Sequence, residues 1–286
     1  MKLKKLVAIT LSAVMCMAAL TGCGGKSDSA KKTAKVIEVD LTDEQYAFGV
    51  DKDQPGLLKE VNQFVKDMKS DGTFDEICNR YFGDGTPVPV KSAAYDESKD
   101  QLVVATNAAF EPFEYMDGEN YVGIDMEIAK ALADKLGKEL VIQNMDFDAV
   151  CLSVGQHKCD VAMAGLTIKP DREEYVAFSD PYYSASQKLI TLSTDTEFDA
   201  CKTADDVNKI LEAKGSDLKI GFQNGTTGQF YCEGDDDWGF PGLKMESKGY
   251  KNGSLAVQDL LNGNINYVII DSAPAESITS SINKMQ

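Results

Sequence analysis

Ala164-Gly165-Leu166-Thr167-Ile168-Lys169-Pro170-Asp171-Arg172, followed by Phe178-Ser179-Asp180-Pro181-Tyr182-Tyr183, places small residues and one arginine where they can surround an anion. Val161-Ala162-Met163-Ala164 is a short apolar run that reads as a buried strand, leaving residues 165–167 to follow it with free backbone N–H groups. Pro170 favours a helix start, which puts Arg172 in a first helical turn. A guanidinium fork with several N–H donors suits a planar carboxylate, because paired charge-assisted hydrogen bonds match its two oxygens. The same arginine also fits a surface salt bridge, and the surrounding chain has to decide.

Outward from this segment, the chain from Gln101 alternates strand-like and helix-like stretches, the signature of an α/β protein with a mainly parallel sheet. Leu102-Val103-Val104-Ala105 reads as a strand, and Gly123-Ile124-Asp125 leads into a helix with Ile128, Leu132 and Leu136 at four-residue spacing, a core stripe that Gly137 ends. Leu140-Val141-Ile142 is the next strand, and residues 148–153 begin another helix. Residues 188–192 and 219–222 are extended, residues 255–261 helical, and Tyr267-Val268-Ile269-Ile270 is a strand ending at Asp271. Strand ends are where ligands bind in such sheets.

Lys2, Lys4 and Lys5 precede the apolar residues 6–20 and Thr21-Gly22-Cys23, a secretory signal too short and wrongly flanked for a membrane span. Residues 1–22 hold three lysines and no acid, so their removal takes the formal charge from −17 to −20, which argues against nucleic acid and anionic membrane surfaces as partners. The polar residues after Cys23, to about residue 35, read as a tether. Cys78, Cys151, Cys159, Cys201 and Cys232 allow at most two bridges, and read as small buried thiols. Cys151, His157 and Cys159 lack a fourth ligand for a metal, and Gly234-Asp235-Asp236-Asp237 fails the calcium-loop spacing and reads as a solvated turn. Neither a metal nor a cofactor is expected.

Thr106-Asn107-Ala108-Ala109-Phe110-Glu111-Pro112-Phe113-Glu114-Tyr115, Gly123-Ile124-Asp125, Phe147-Asp148, the segment quoted first, Gly225-Thr226-Thr227 and Asp271 before Ala273-Pro274-Ala275 stand in one order. In these motifs residues 101–271 resemble the extracytoplasmic amino-acid-binding proteins of the polar amino acid ABC-transporter type. The resemblance implies a two-lobe periplasmic-binding-protein-like fold of type II, each lobe a mainly parallel sheet flanked by helices, with a hinge of two crossings. Leu20-Thr21-Gly22-Cys23 resembles a bacterial lipobox, which implies Cys23 as the lipidated first residue of the mature protein, anchored to the outer face of the cell membrane. The family's closing elements stand at the front instead: residues 35–41 read as a strand, residues 46–50 resemble the return crossing, and Asp71-Gly72-Thr73-Phe74-Asp75 with Tyr81-Phe82-Gly83 match its last helices. The sequence therefore resembles a circularly permuted member, and a damaged tandem is the other reading. Lobe 1 is expected over residues 46–190, including a joining segment at 84–100, and lobe 2 over residues 36–45 with 191–286; the hinge is expected near residues 43–50 and 189–193.

By resemblance, Arg172, Thr167, the Gly165 backbone and Thr227 hold an α-carboxylate and Asp271 the ammonium, with Thr226 a further ligand-binding candidate, although Asp271 also fits a helix N-cap. Phe110 and Phe147 match the rings that sandwich the ligand's aliphatic part, or are ordinary core aromatics. Asn107, Glu114 and Gln223 are the candidates for reading the side chain; Asn107 stands where relatives that bind cationic amino acids can carry an acid, which leaves neutral polar ligands open. The implied role is a monomeric receptor that gives a polar amino acid to ABC permease subunits. The competing expectations are a prephenate- or arogenate-type dehydratase, with Glu114 as its general acid, and the ligand-sensing lobe of a receptor.

Overall fold

The computed structural model describes residues 31–285, so the expected signal segment and Cys23 lie outside the described residues. Two five-stranded sheets organise the chain from Lys32 onward. In the first, strands Val161–Ala162, Gln101–Thr106 and Glu139–Asn144 run parallel, and Gly49–Asp51 and Val176–Phe178 extend the sheet antiparallel. The second repeats the plan: Tyr267–Asp271, Lys219–Gln223 and Glu246–Tyr250 are parallel, and Gln187–Leu192 and Ala34–Val36 are antiparallel. Each is thus a mixed sheet with a parallel half, and the fold is the two-lobe α/β architecture expected.

Burial explains the strands. All six residues of Gln101–Thr106 and all five of Tyr267–Asp271 are buried, as parallel strands covered on both faces must be. Helix Ile124–Leu136 buries Ile124, Ile128 and Leu132 and stops where Gly137 turns left-handed at φ 69°. Helix Gly253–Asn262 starts on the Asn252 side chain, which accepts from the Leu255 N–H. Helices Pro55–Ser70 and Thr73–Phe82 occupy the front segment as expected.

Three expectations shift. The front strand covers Ala34–Val36 rather than residues 35–41, because a Val39 N–H to Ile37 C=O turn kinks the ladder; Ile37 and Leu41 still donate to Leu189 and Gln187 of the neighbouring strand. The tether therefore ends before Ala34. The hinge is the two-stranded pairing of Glu44–Tyr46 with Tyr183–Ala185, so the second crossing precedes Gln187–Leu192, which belongs to the second sheet; the lobe boundary expected at residue 190 moves accordingly. The edge strand and the last helix, Ser272–Met285, are clasped: the Asn283 amide accepts from Ala34 N–H and donates to its C=O. Cys78, Cys151, Cys159, Cys201 and Cys232 are free thiols. Among the described residues no helix is long and apolar enough to cross a membrane.

Candidate functional site

Gly165 and Arg172 lie between the first sheet's strands Val161–Ala162 and Val176–Phe178, at its C-terminal edge. Gly165 takes φ 54°, and a Cβ there would meet the Phe110 ring at 2.9 Å, so glycine both turns the chain and lets an aromatic ring approach. Arg172 begins a single 3-10 turn, Arg172–Glu174, rather than an α-helix. Its buried guanidinium donates to Thr167 C=O at 2.6 Å and to Gly225 C=O of the second lobe at 2.9 Å, with its carbon 5.3 Å from the Phe147 ring centroid. Arg172 is therefore not a surface ion pair but a cation that joins the lobes. Beside it Phe147, Asp148, Gly225 and Phe230 line a hollow of about 280 Å³.

The opposite end is acidic. Asp271 ends the second sheet's central strand and accepts from the Tyr46 hydroxyl at 2.5 Å. Burial, and then the nearby Glu44 charge, push its carboxyl up to about 7, against the lowering effect of the Tyr46 bond. Glu44 accepts from Thr42 Oγ1 at 2.6 Å, Gln187 Nε2 at 3.0 Å and Thr167 Oγ1 at 2.8 Å. The Thr167 hydroxyl proton, expected for a carboxylate ligand, is thus directed at Glu44. Asp125 accepts from the Gly165 N–H at 2.9 Å and the Tyr182 hydroxyl at 2.6 Å, and burial raises its carboxyl to about 6.

Glu114 is fully buried with neither oxygen partnered, and burial, then Asp125 and Asp271, hold its carboxyl well above the ordinary range. Asn107 donates to Met145 C=O and accepts from Gln223 Nε2 at 3.0 Å, a bond between the lobes, while Gln223 Oε1 and Gln187 Oε1 lack partners. Phe110 is buried beside Gly165. Thr226 and Thr227 are buried after Gly225, and Thr226 donates to Gln223 C=O.

Of the residues expected at the site, Arg172 meets Gly225 and Asn107 meets Gln223 across the lobes, and Thr167 links the Arg172 end to Glu44. Sequence reasoning missed Glu44, Tyr46, Asp125 and Gln187. Tyr46 and its neighbour Glu44 were visible only as part of a crossing, since nothing local tells that a hinge strand faces Asp271 across 225 residues.

Two sheets joined by the paired strands Glu44–Tyr46 and Tyr183–Ala185, with a buried cation shared between the lobes and a separate group of buried acids, define the two-lobe α/β class of binding protein. Residues 102–271 match the sequence profile of bacterial extracellular solute-binding proteins, family 3, and the chain belongs to that family, one of solute-binding proteins rather than enzymes. It is 29% identical over 202 residues to the arginine-binding extracellular protein ArtP of Bacillus subtilis, covering 65% of this chain and 75% of that protein. It is 33% identical to ABC transporter arginine-binding protein 1 of Escherichia coli, covering 61% of this chain and 64% of the relative, just under two thirds of its length. The structure of holo ArgBP from T. maritima aligns with a TM-score of 0.52 at 30% identity, over 66% of this chain and 78% of that one.

Proposed function

We propose that this protein binds a polar α-amino acid with an N–H-rich, basic side chain in the cleft and delivers it to an ABC importer. The observation that carries the ligand class is a set of buried, unpartnered oxygens: Gln223 Oε1 and Gln187 Oε1 are acceptors without donors, and Glu114, whose carboxyl burial keeps protonated, becomes an acceptor at both oxygens once a cation lets it ionise. Buried acceptors without partners are costly, so the complementary ligand is a donor, and an ammonium plus a second N–H group fits. Arg172 supplies the opposite requirement, a fixed fork for the α-carboxylate, once its bonds to Thr167 and Gly225 C=O are shared or exchanged. The arginine ligands in the names of the relatives agree with this, and outweigh the neutral ligands that Asn107 left open.

Delivery to permease subunits and attachment through a lipid on Cys23 belong to the same proposal, supported by the relatives' transporter names and by the Leu20-Thr21-Gly22-Cys23 motif. The segment order is read as a circular permutation, since the family match starts at residue 102 while Ala34–Val36 and Gly49–Asp51 add one strand to each sheet. A thermal-shift panel of the common L-amino acids tests the ligand class. L-arginine or another basic amino acid should raise the melting temperature most; a response confined to acidic or apolar amino acids sinks the proposal.

A further inference from the structure

The turn Gly234-Asp235-Asp236-Asp237, expected to be solvated, keeps Asp236 and Asp237 exposed but brings Asp235 against the other lobe. Lys169, in the first lobe between Thr167 and Arg172, is only 3% exposed despite its charge. Its ammonium lies 3.0 Å from Asp171 on its own lobe, and 3.1 Å from Asp235 and 3.6 Å from Asp237 on the second. It also sits 4.6 Å from the centroid of the second-lobe Phe230 ring.

The acceptor is held ready. Asp235 and Phe240 exchange backbone hydrogen bonds, closing the loop into a small hairpin, and Leu243 N–H returns to Cys232 C=O. One Asp235 oxygen accepts from the Trp238 N–H at 3.1 Å, which leaves the other for Lys169. The Trp238 ring stacks on Phe240 at 5.6 Å. Burial alone would lower the ammonium's pKa, but hydrogen bonds to Asp171 and Asp235 raise it, so Lys169 stays charged.

We propose that Lys169 is a positioning residue for ligand retention, a latch that links the lobes through Asp235, Asp237 and Phe230 without touching the ligand. These contacts exist only while the lobes are together, so their free energy is differential between closed and open forms. A latch of this kind slows ligand escape while leaving encounter nearly unchanged. Because its two cross-lobe carboxylates, Asp235 and Asp237, are both reached by solvent, salt weakens it.

The inference rests on the amino-acid-binding reading, and the test separates the two. L-Arginine dissociation is followed by stopped-flow fluorescence of Trp238, the sole tryptophan, which lies in the latch loop. Lys169→Met should raise the dissociation rate about five- to tenfold with association changed less than about twofold, and Lys169→Arg should restore most of it. Asp235→Asn should reproduce the loss from the other lobe, and about 1 M NaCl should narrow the gap between Lys169→Met and the parent protein. An unchanged dissociation rate in Lys169→Met, with the parent binding L-arginine, overturns the latch. If the parent does not bind L-arginine, the basic amino acid that raises its melting temperature most replaces it in the same measurement; if no basic amino acid binds, the ligand reading falls and ligand-free protein decides the latch: acrylamide quenching of Trp238 should rise in Lys169→Met and return with Lys169→Arg, and equal quenching overturns it.

Discussion

The two ends of the cleft solve opposite electrostatic problems. At the Arg172 end, one buried cation is shared between Thr167 and Gly225 carbonyls, so its donors have partners in both lobes. At the Asp271 end, Glu44, Glu114, Asp125 and Asp271 are all buried, and Glu114 has no donor at all. The first end is satisfied by backbone, while the second is under-satisfied and therefore selective. A buried carboxyl with no partner disfavours its own charge until a cation arrives, so the acidic end gains most from an ammonium-bearing ligand.

Removing the satisfied end should have the largest effect. Arg172→Ala should cost about 2–5 kcal/mol of ligand affinity, because the ligand carboxylate is left buried without its partner. Calorimetry that returns the parent affinity for this variant would show that the carboxylate is held elsewhere.

Asp271→Asn comes next, with an expected loss of about 1.5–3 kcal/mol in binding from the missing charged hydrogen bond to an ammonium. Its effect on stability should have the opposite sign. Folding raises Asp271 to about 7 and Asp125 to about 6, so the native state holds these protons more tightly than the unfolded chain does. Their contribution is therefore most favourable below the unfolded value near about 4, and is lost as pH climbs through the folded values. Ligand-free protein should melt higher near about pH 5 than near about pH 7.5, and Asp271→Asn should flatten that slope by removing one of the titrating acids. A melting temperature that rises over the same interval would mean the acidic end is not under strain from its own charge.

The smallest effect is expected from reordering the chain so that residues 101–286 precede residues 33–83. If the front elements complete the two sheets in this way, the product should fold with a melting temperature within about 2–4 °C of the parent and bind the same ligand. Loss of the cooperative transition would favour the damaged-tandem reading.

Much of this was legible in local pattern. The stripe Ile128, Leu132, Leu136 and the stop at Gly137 define their helix without help from tertiary structure, and the uninterrupted apolar run at residues 102–105 reads as a parallel strand. Motif order brought Arg172 and Asp271 to one site before any contact was visible. What stayed hidden depends on pairings between distant residues. The run at residues 189–192 is extended in either lobe, and only its pairing with Tyr267–Asp271 assigns it to the second sheet and moves the hinge to Tyr183–Ala185. Three successive aspartates look solvated until a lysine 66 residues away is found against the first of them. Glu44 is charged and lies in a polar stretch, and its burial follows from Thr167 and Gln187 closing over it.

The clasp between Asn283 and Ala34 fixes where mechanical load enters the protein. Tension applied through the residues before Ala34 is taken up by an edge strand and the last helix of the same lobe, through two amide hydrogen bonds at 3.0 and 2.8 Å. The Arg172 bridge lies outside that route, since it connects to the other lobe. Were the proposed lipid on Cys23 to tether the protein, its pull would reach the second lobe without loading the Arg172 contact between the lobes.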